Sequence, residues 1–259
     1  MRRKAGNRRN SGQTLIITAL VIALLVLSIV YSVFEAGRRS EMRSAATLNS
    51  PVLATKLGLR NTVTSSLVNV SNGGEDEMLS TNLNEYASIV GNQSHFGKCS
   101  VLFTVSDASP YQSGMWISWG SDGTGVSSAY ANFTLVFTKT ESDLQLEHTI
   151  NITTALNVEG TYTKLEGALK QVNVTCRIFN EGEPALANNI TLYYDHDGDL
   201  ETQDWTPADS PNITDYGNGT YTISFTAETQ TQDDPMLVSA HVYDLRDIFV
   251  LANATCTET

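Results

Sequence analysis

Three aspartates alternate in the segment Asp195-His196-Asp197-Gly198-Asp199. Alternating carboxylates at a tight turn are the arrangement that surrounds a hard, oxygen-seeking cation, so Asp195, Asp197 and Asp199 are the candidate calcium ligands. The same letters also make an acidic Asp-Gly hairpin tip that needs no ion. Other chemistry is sparse. The histidines His95, His148, His196 and His241 are scattered, with no H-E-x-x-H and no pair at helical spacing for zinc. No G-x-S-x-G nucleophile turn occurs, and no glycine loop that could cradle a phosphate. Trp116 and Trp119, with Tyr111 nearby, offer rings on which a sugar can stack. Their i, i+3 spacing sends them to opposite faces of a strand, so at most one faces out; core and edge aromatics of a β domain have the same spacing. The residue types assemble no catalytic set. The expectation is a protein that is not an enzyme and has no cofactor, calcium apart.

The most frequent chemical motif is the glycan acceptor Asn-x-Ser/Thr. It stands at Asn69, Asn92, Asn132, Asn151, Asn173, Asn189, Asn212, Asn218 and Asn253. Such sites are used only on the exported side of a membrane. A polar, β-rich surface also favours Asn and Thr, so the motif needs support from topology.

That support comes from Thr14–Phe34, which holds 21 uncharged residues, 14 of them Leu, Ile, Val or Phe. At 1.5 Å per residue a helix of this length spans ~31 Å, one hydrocarbon core. Inserting the 14 large apolar side chains contributes roughly −4 to −8 kcal/mol. Arg2, Arg3, Lys4, Arg8 and Arg9 precede the run with no acidic residue, whereas Glu35, Arg38, Arg39, Glu41 and Arg43 follow it. The positive-inside rule keeps the first dozen residues in the cytoplasm and sends everything past about residue 36 outside. All nine acceptor motifs then fall outside. The run is longer than the apolar stretch of a removed secretion signal, and "SVFEAG" has no A-x-A cleavage pattern. It therefore reads as a retained single-pass anchor.

A basic leader, a small residue and a polar residue opening a long apolar helix resemble the class III signal of type IV pilin-like proteins, the archaeal ones in particular. Gly12 matches the last leader residue and Gln13 the first mature one. The resemblance implies cutting by a prepilin-type peptidase, a helix that stays on the mature chain, and self-assembly or assembly with other pilin-like subunits. The formal charge is −12, and loss of the leader would take it to −17. Such a surface repels nucleic acid and anionic headgroups, so neither is an expected partner.

Beyond the anchor the period of the apolar residues sorts the chain into helical and extended parts. Residues 37–98 read as helical, broken at Pro51 and at the turn "SNGGEDE", with Leu79, Leu83, Tyr86 and Val90 on one helical stripe. From Cys99 the period becomes two. Residues 99–160 read as the β domain of a pilin-like head and 161–259 as a second β unit of six or seven strands. "DYGNGTYTISF" (Asp215 to Phe225) resembles the D-x-G-x-G-T-Y strand of filamin-type and related immunoglobulin-like domains, which implies a β-sandwich and says little of function. Asp195 to Asp199 is similar to the D-x-D-G-D loop of extracellular calcium repeats. In "QVNVTCRIF" and "LANATC" alternation turns Cys176 and Cys256 inward and Asn173 and Asn253 outward. The two cysteines then either pair as a disulfide or remain buried thiols. The expected fold is α+β: a basic leader (1–12), a transmembrane helix (13–36), packing helices (37–98) and a mainly antiparallel β ectodomain ending in an immunoglobulin-like sandwich. The expected role is a cell-surface structural or adhesive protein, membrane-anchored and glycosylated. The alternative is a tethered carbohydrate- or calcium-binding module that forms no filament.

Overall fold

The computed structural model describes residues 24, 26–31, 51–92, 98–139, 142–197 and 205–259. The leader, most of the apolar run and the Gly12–Gln13 junction lie outside them. Residues 24 and 26–31 are helical, and Leu24, Val26, Leu27, Ile29, Val30 and Tyr31 are all more than half exposed. Among the described residues no helix is long and apolar enough to cross a membrane. The chain divides into two compact units, 1–54 and 55–259. The second holds the β structure.

Two helices precede the strands. Helix α1 spans 51–71, starting on Pro51, whose missing N–H costs nothing in a first turn. It ends at a turn in which Gly73 takes φ +90°, the left-handed region. Helix α2 is Met78–Asn92. Leu59, Val63 and Leu67 of α1 and Leu79 and Leu83 of α2 are fully buried. The Tyr86 hydroxyl donates to the Thr55 carbonyl (3.2 Å), and Asn82 donates to the Ser66 hydroxyl (2.9 Å), joining the two helices.

The rest is extended chain: β1 (Lys98–Val105), β2 (Met115–Trp119), β3 (Thr124–Lys139), β4 (Ser142–Lys164), β5 (Leu169–Asn180), β6 (Glu183–Pro184), β7 (Ala187–Asp195), β8 (Trp205–Pro207), β9 (Asn212–Asp215), β10 (Thr220–Glu228), β11 (Leu237–Asp244), β12 (Phe249–Thr255) and β13 (Thr257–Glu258). Nine strands form one sheet in the order β1-β3-β4-β5-β10-β9, with β2 beside β3, β6 beside β5 and β13 beside β4. The second sheet is β12-β11-β7-β8. Pairing is antiparallel except where β13 meets β4. The architecture is mostly antiparallel and sandwich-like, with few helices.

Strand β4 organises the large sheet. Its first half pairs with β3 from Ser142 to Asn157, and its second half pairs with β5 from Thr154 to Lys164. The boundary expected at 160/161 therefore falls inside a single strand. Residues 55–259, helical and extended parts together, form one compact unit. Gly160 is a strand residue placed where a Cβ would strike the Cys256 thiol.

Alternation gives the large sheet a buried face and an open face. Ile150, Ile152, Leu156 and Val158 of β4 are all buried on the first. Leu156 and Val158 there join the sandwich core with Val172, Val174, Cys176, Ile178, Ile223, Val238, Val250 and Cys256. Burying side chains of this size contributes roughly 1.5–3 kcal/mol each. On the open face stand Thr149, Asn151, Asn157 and Glu159 of β4, all exposed.

Candidate functional site

The open face carries acceptor motifs in two groups. Asn173 pairs with Ser224, and Ser224 with Asn212 on β9, so both asparagines lie in one row across β5, β10 and β9. Asn132 and Asn151 lie on β3 and β4, where Asn151 is directly opposite Tyr130 and Asn132 opposite Thr149. They are diagonal neighbours on one face, ~7 Å apart at that spacing. Both are exposed.

An aromatic and hydroxyl cluster surrounds this pair. Tyr111, from the loop before β2, stacks edge-on against Trp116 (ring centroids 6.1 Å) and tilted against Tyr130 (5.6 Å). All three rings are half-buried. The Ser128 hydroxyl is the hub, within hydrogen-bond reach of the Tyr111 hydroxyl (3.1 Å), the Thr153 hydroxyl (2.7 Å) and Asn151 Oδ1 (3.2 Å). Asn151 Oδ1 also accepts from the Tyr111 hydroxyl (3.4 Å) and from Thr153, its own motif threonine (3.3 Å). Asn132 Oδ1 accepts from Thr149 Oγ1 (2.7 Å) and from the Tyr130 hydroxyl (3.3 Å). Each carboxamide is thus held by its oxygen, with a tyrosine hydroxyl among the donors. Sequence reasoning found Tyr111 and Trp116 but missed Tyr130 and Ser128. The signal was the alternation of Ser128, Tyr130 and Asn132 along β3. Trp119 faces the other way, edge-on against Phe249 at 5.2 Å, with Nε1 donating to Ser127.

The remaining acceptor asparagines are dispersed. Asn69 is on α1, Asn92 ends α2, Asn189 is on β7 and Asn218 is in the turn before β10, all exposed. Asn253 turns away from the core as alternation directs, but it is only half-exposed. Its Oδ1 is buried with no hydrogen-bond partner, and its backbone joins the turn between β2 and β3 through Gly120 and Gly123. That hairpin covers the face of β12 that alternation turns away from the core.

Asp195 is fully buried at the end of β7, and its Oδ1 accepts from the Asp197 backbone N–H (3.3 Å). His196 Nδ1 lies 2.6 Å from the Glu228 carbonyl. Asp199 lies outside the described residues. Among those described, no group of three or more His, Cys, Asp or Glu side chains is arranged to hold a metal. Cys99, Cys176 and Cys256 are free buried thiols. Of the two alternatives left by alternation, Cys176 and Cys256 take the second. They share one core, and burial pushes each thiol up to about 12, so both stay protonated.

Two charged clusters complete the surface. A pocket of about 280 Å³ between α1 and β4 is lined by Lys56, Arg60, His148 and Asn151, among others. Burial, and then the Lys56 charge, hold the His148 imidazole below its ordinary value. Near the middle of β4, Asp244 is fully buried and bonds the Arg246 guanidinium (2.8 Å) and the Thr154 hydroxyl (2.9 Å). Arg246 also reaches Glu181 (2.6 Å). This knot ties the turn between β11 and β12 to β4 and to the turn between β5 and β6.

No family model matches this chain, and no curated protein does. A solved structure that it resembles is a chimeric titin Z1Z2-Z1Z2 tandem functionalized with a GRGDS exogenous peptide from fibronectin. The two are 13% identical, over 62% of this chain and 84% of that one, with a TM-score of 0.21. Superposition at that level carries no argument about what the chain does.

Proposed function

We propose that this chain is a single-pass surface protein, cytoplasmic at its arginine-rich start, whose β ectodomain works outside the cell by assembly or adhesion and not by turnover. The observation that carries the reading is the charge-free apolar run with five basic residues before it and every glycan acceptor after it. The exposed side chains of Leu24, Val26, Leu27, Ile29, Val30 and Tyr31 agree with a helix whose solvent is lipid. The finer readings follow from the sequence resemblances: a pilin-like helix freed by a prepilin-type peptidase between Gly12 and Gln13, and an immunoglobulin-like sandwich at the C-terminal end. The sandwich-like, mostly antiparallel β architecture supports this reading.

Protease added to intact cells tests the orientation. The expected result is digestion of the ectodomain and survival of the leader; an untouched ectodomain with a digested leader overturns the proposal. Intact mass of the membrane-extracted chain separates the two anchors. A chain starting at Gln13 supports the pilin-like route, and a retained leader supports a plain anchor. A tethered carbohydrate-binding module is the second reading, favoured by the Tyr111–Trp116–Tyr130 rings.

A further inference from the structure

The geometry points to Asn132 and Asn151 as a paired glycosylation site whose first sugar rests on the Tyr111–Trp116–Tyr130 rings. The inference deepens the exterior reading proposed above and depends on it. Three observations converge. The two acceptor asparagines are exposed diagonal neighbours on the open face of one sheet. Each carboxamide oxygen is fixed by hydroxyl donors, a tyrosine among them, which leaves the amide nitrogen as the group offered for bonding. Tyr130 is directly across from Asn151 and two residues before Asn132 on the same face, so it flanks both. A pyranose has one face lined with C–H bonds of partial positive charge, which complements the negative face of an aromatic ring. A sugar joined to either nitrogen starts within reach of the rings and loses little freedom in settling there.

In the transfer, Asn Nδ2 forms a C–N bond to the anomeric carbon of a lipid-linked phosphosugar. The anomeric C–O bond to phosphate breaks, the lipid phosphate leaves with the electron pair, and Nδ2 gives up one proton. Because both acceptors share one set of rings, a single sugar stacks at a time.

The test compares the full chain made in a host that N-glycosylates exported proteins with the same chain made in a host that does not. Glycopeptide mass spectrometry is expected to find sugar on Asn132 or Asn151. The glycosylated chain is expected to melt about 2–4 °C above the bare one. N132Q/N151Q removes that difference, and so does Y130A; because each variant is compared with its own bare form, a loss of basal stability cancels. Should Y130A fail to fold, W116L serves in its place. Sugar on Asn173 or Asn212 with none on Asn132 or Asn151 overturns the inference and leaves the exterior reading standing; no sugar at any site overturns both. An equal melting difference in the parent and in Y130A overturns the stacking. Full restoration of the difference by free oligosaccharide added to the bare chain would assign the rings to a separate ligand and overturn the self-glycan assignment.

Discussion

Asp244 shows what one buried charge does in this molecule. Its Oδ1 accepts from the backbone N–H of Arg246 and of Ile248, and its Oδ2 accepts from Arg246 Nε and the Thr154 hydroxyl. Four donors compensate a carboxylate that has no exposure. Asp244→Ala would leave Arg246 with Glu181 as its carboxylate partner and is expected to cost about 3–5 kcal/mol, read from the urea midpoint. Removing both Asp244 and Arg246 should cost less than the sum of the single changes. Histidine sets a second residue-scale expectation. His241, packed against Tyr193 and Phe249, has its pKa held below 6.5 by burial, and His148 shares that direction. Between the folded value and 6.5 the unfolded chain binds the extra proton, so stability is complete above about pH 6.5 and falls as pH drops through that point. The melting temperature should decline from about pH 7.5 to about pH 5.5, and His241→Phe should flatten the slope. At this scale the sequence was informative where a residue's neighbours are local. The inward turn of Cys176 and Cys256 followed from alternation alone. The burial of Asn253 Oδ1 did not, because the β2–β3 hairpin that covers it is some 130 residues away in sequence.

Among the elements, the two strand glycines on the buried face carry the most specific constraint. A Cβ on Gly125 would meet the Leu251 carbonyl, a backbone group that cannot rotate aside. A Cβ on Gly160 would meet the Cys256 thiol. Gly125→Ala and Gly160→Ala are each expected to destabilise by about 1–3 kcal/mol through overpacking, with the midpoint of chemical unfolding as readout. The Gly125 change should be the costlier, since a thiol can shift. The helices were readable because Leu79, Leu83 and Val90 repeat at helical spacing and are buried as that stripe demands. The strands from β5 to β12 were readable for the matching reason at period two. The length of β4 was not. The approach of Cys256 explains a glycine within a continuous ladder.

For the molecule as a whole, the asymmetry of the large sheet matters most. One face is spent on burial, and the other presents Asn132, Asn151, Asn173 and Asn212 among threonines. Asn69, Asn92 and Asn189 are exposed on the helices and on β7, so acceptor motifs are concentrated on that face but not confined to it. The single compact unit from 55 to 259 was not legible, since nothing in composition announces that one strand pairs with β3 over its first part and β5 over its last. That shared strand has a mechanical meaning. β4 is flanked by β3 over its first part and by β5 over its last, with both ladders present at Thr154 to Asn157. Tension along it is resisted in shear by both neighbours at once, so a pulled molecule should give way in one rupture, not as two beads slipping in turn.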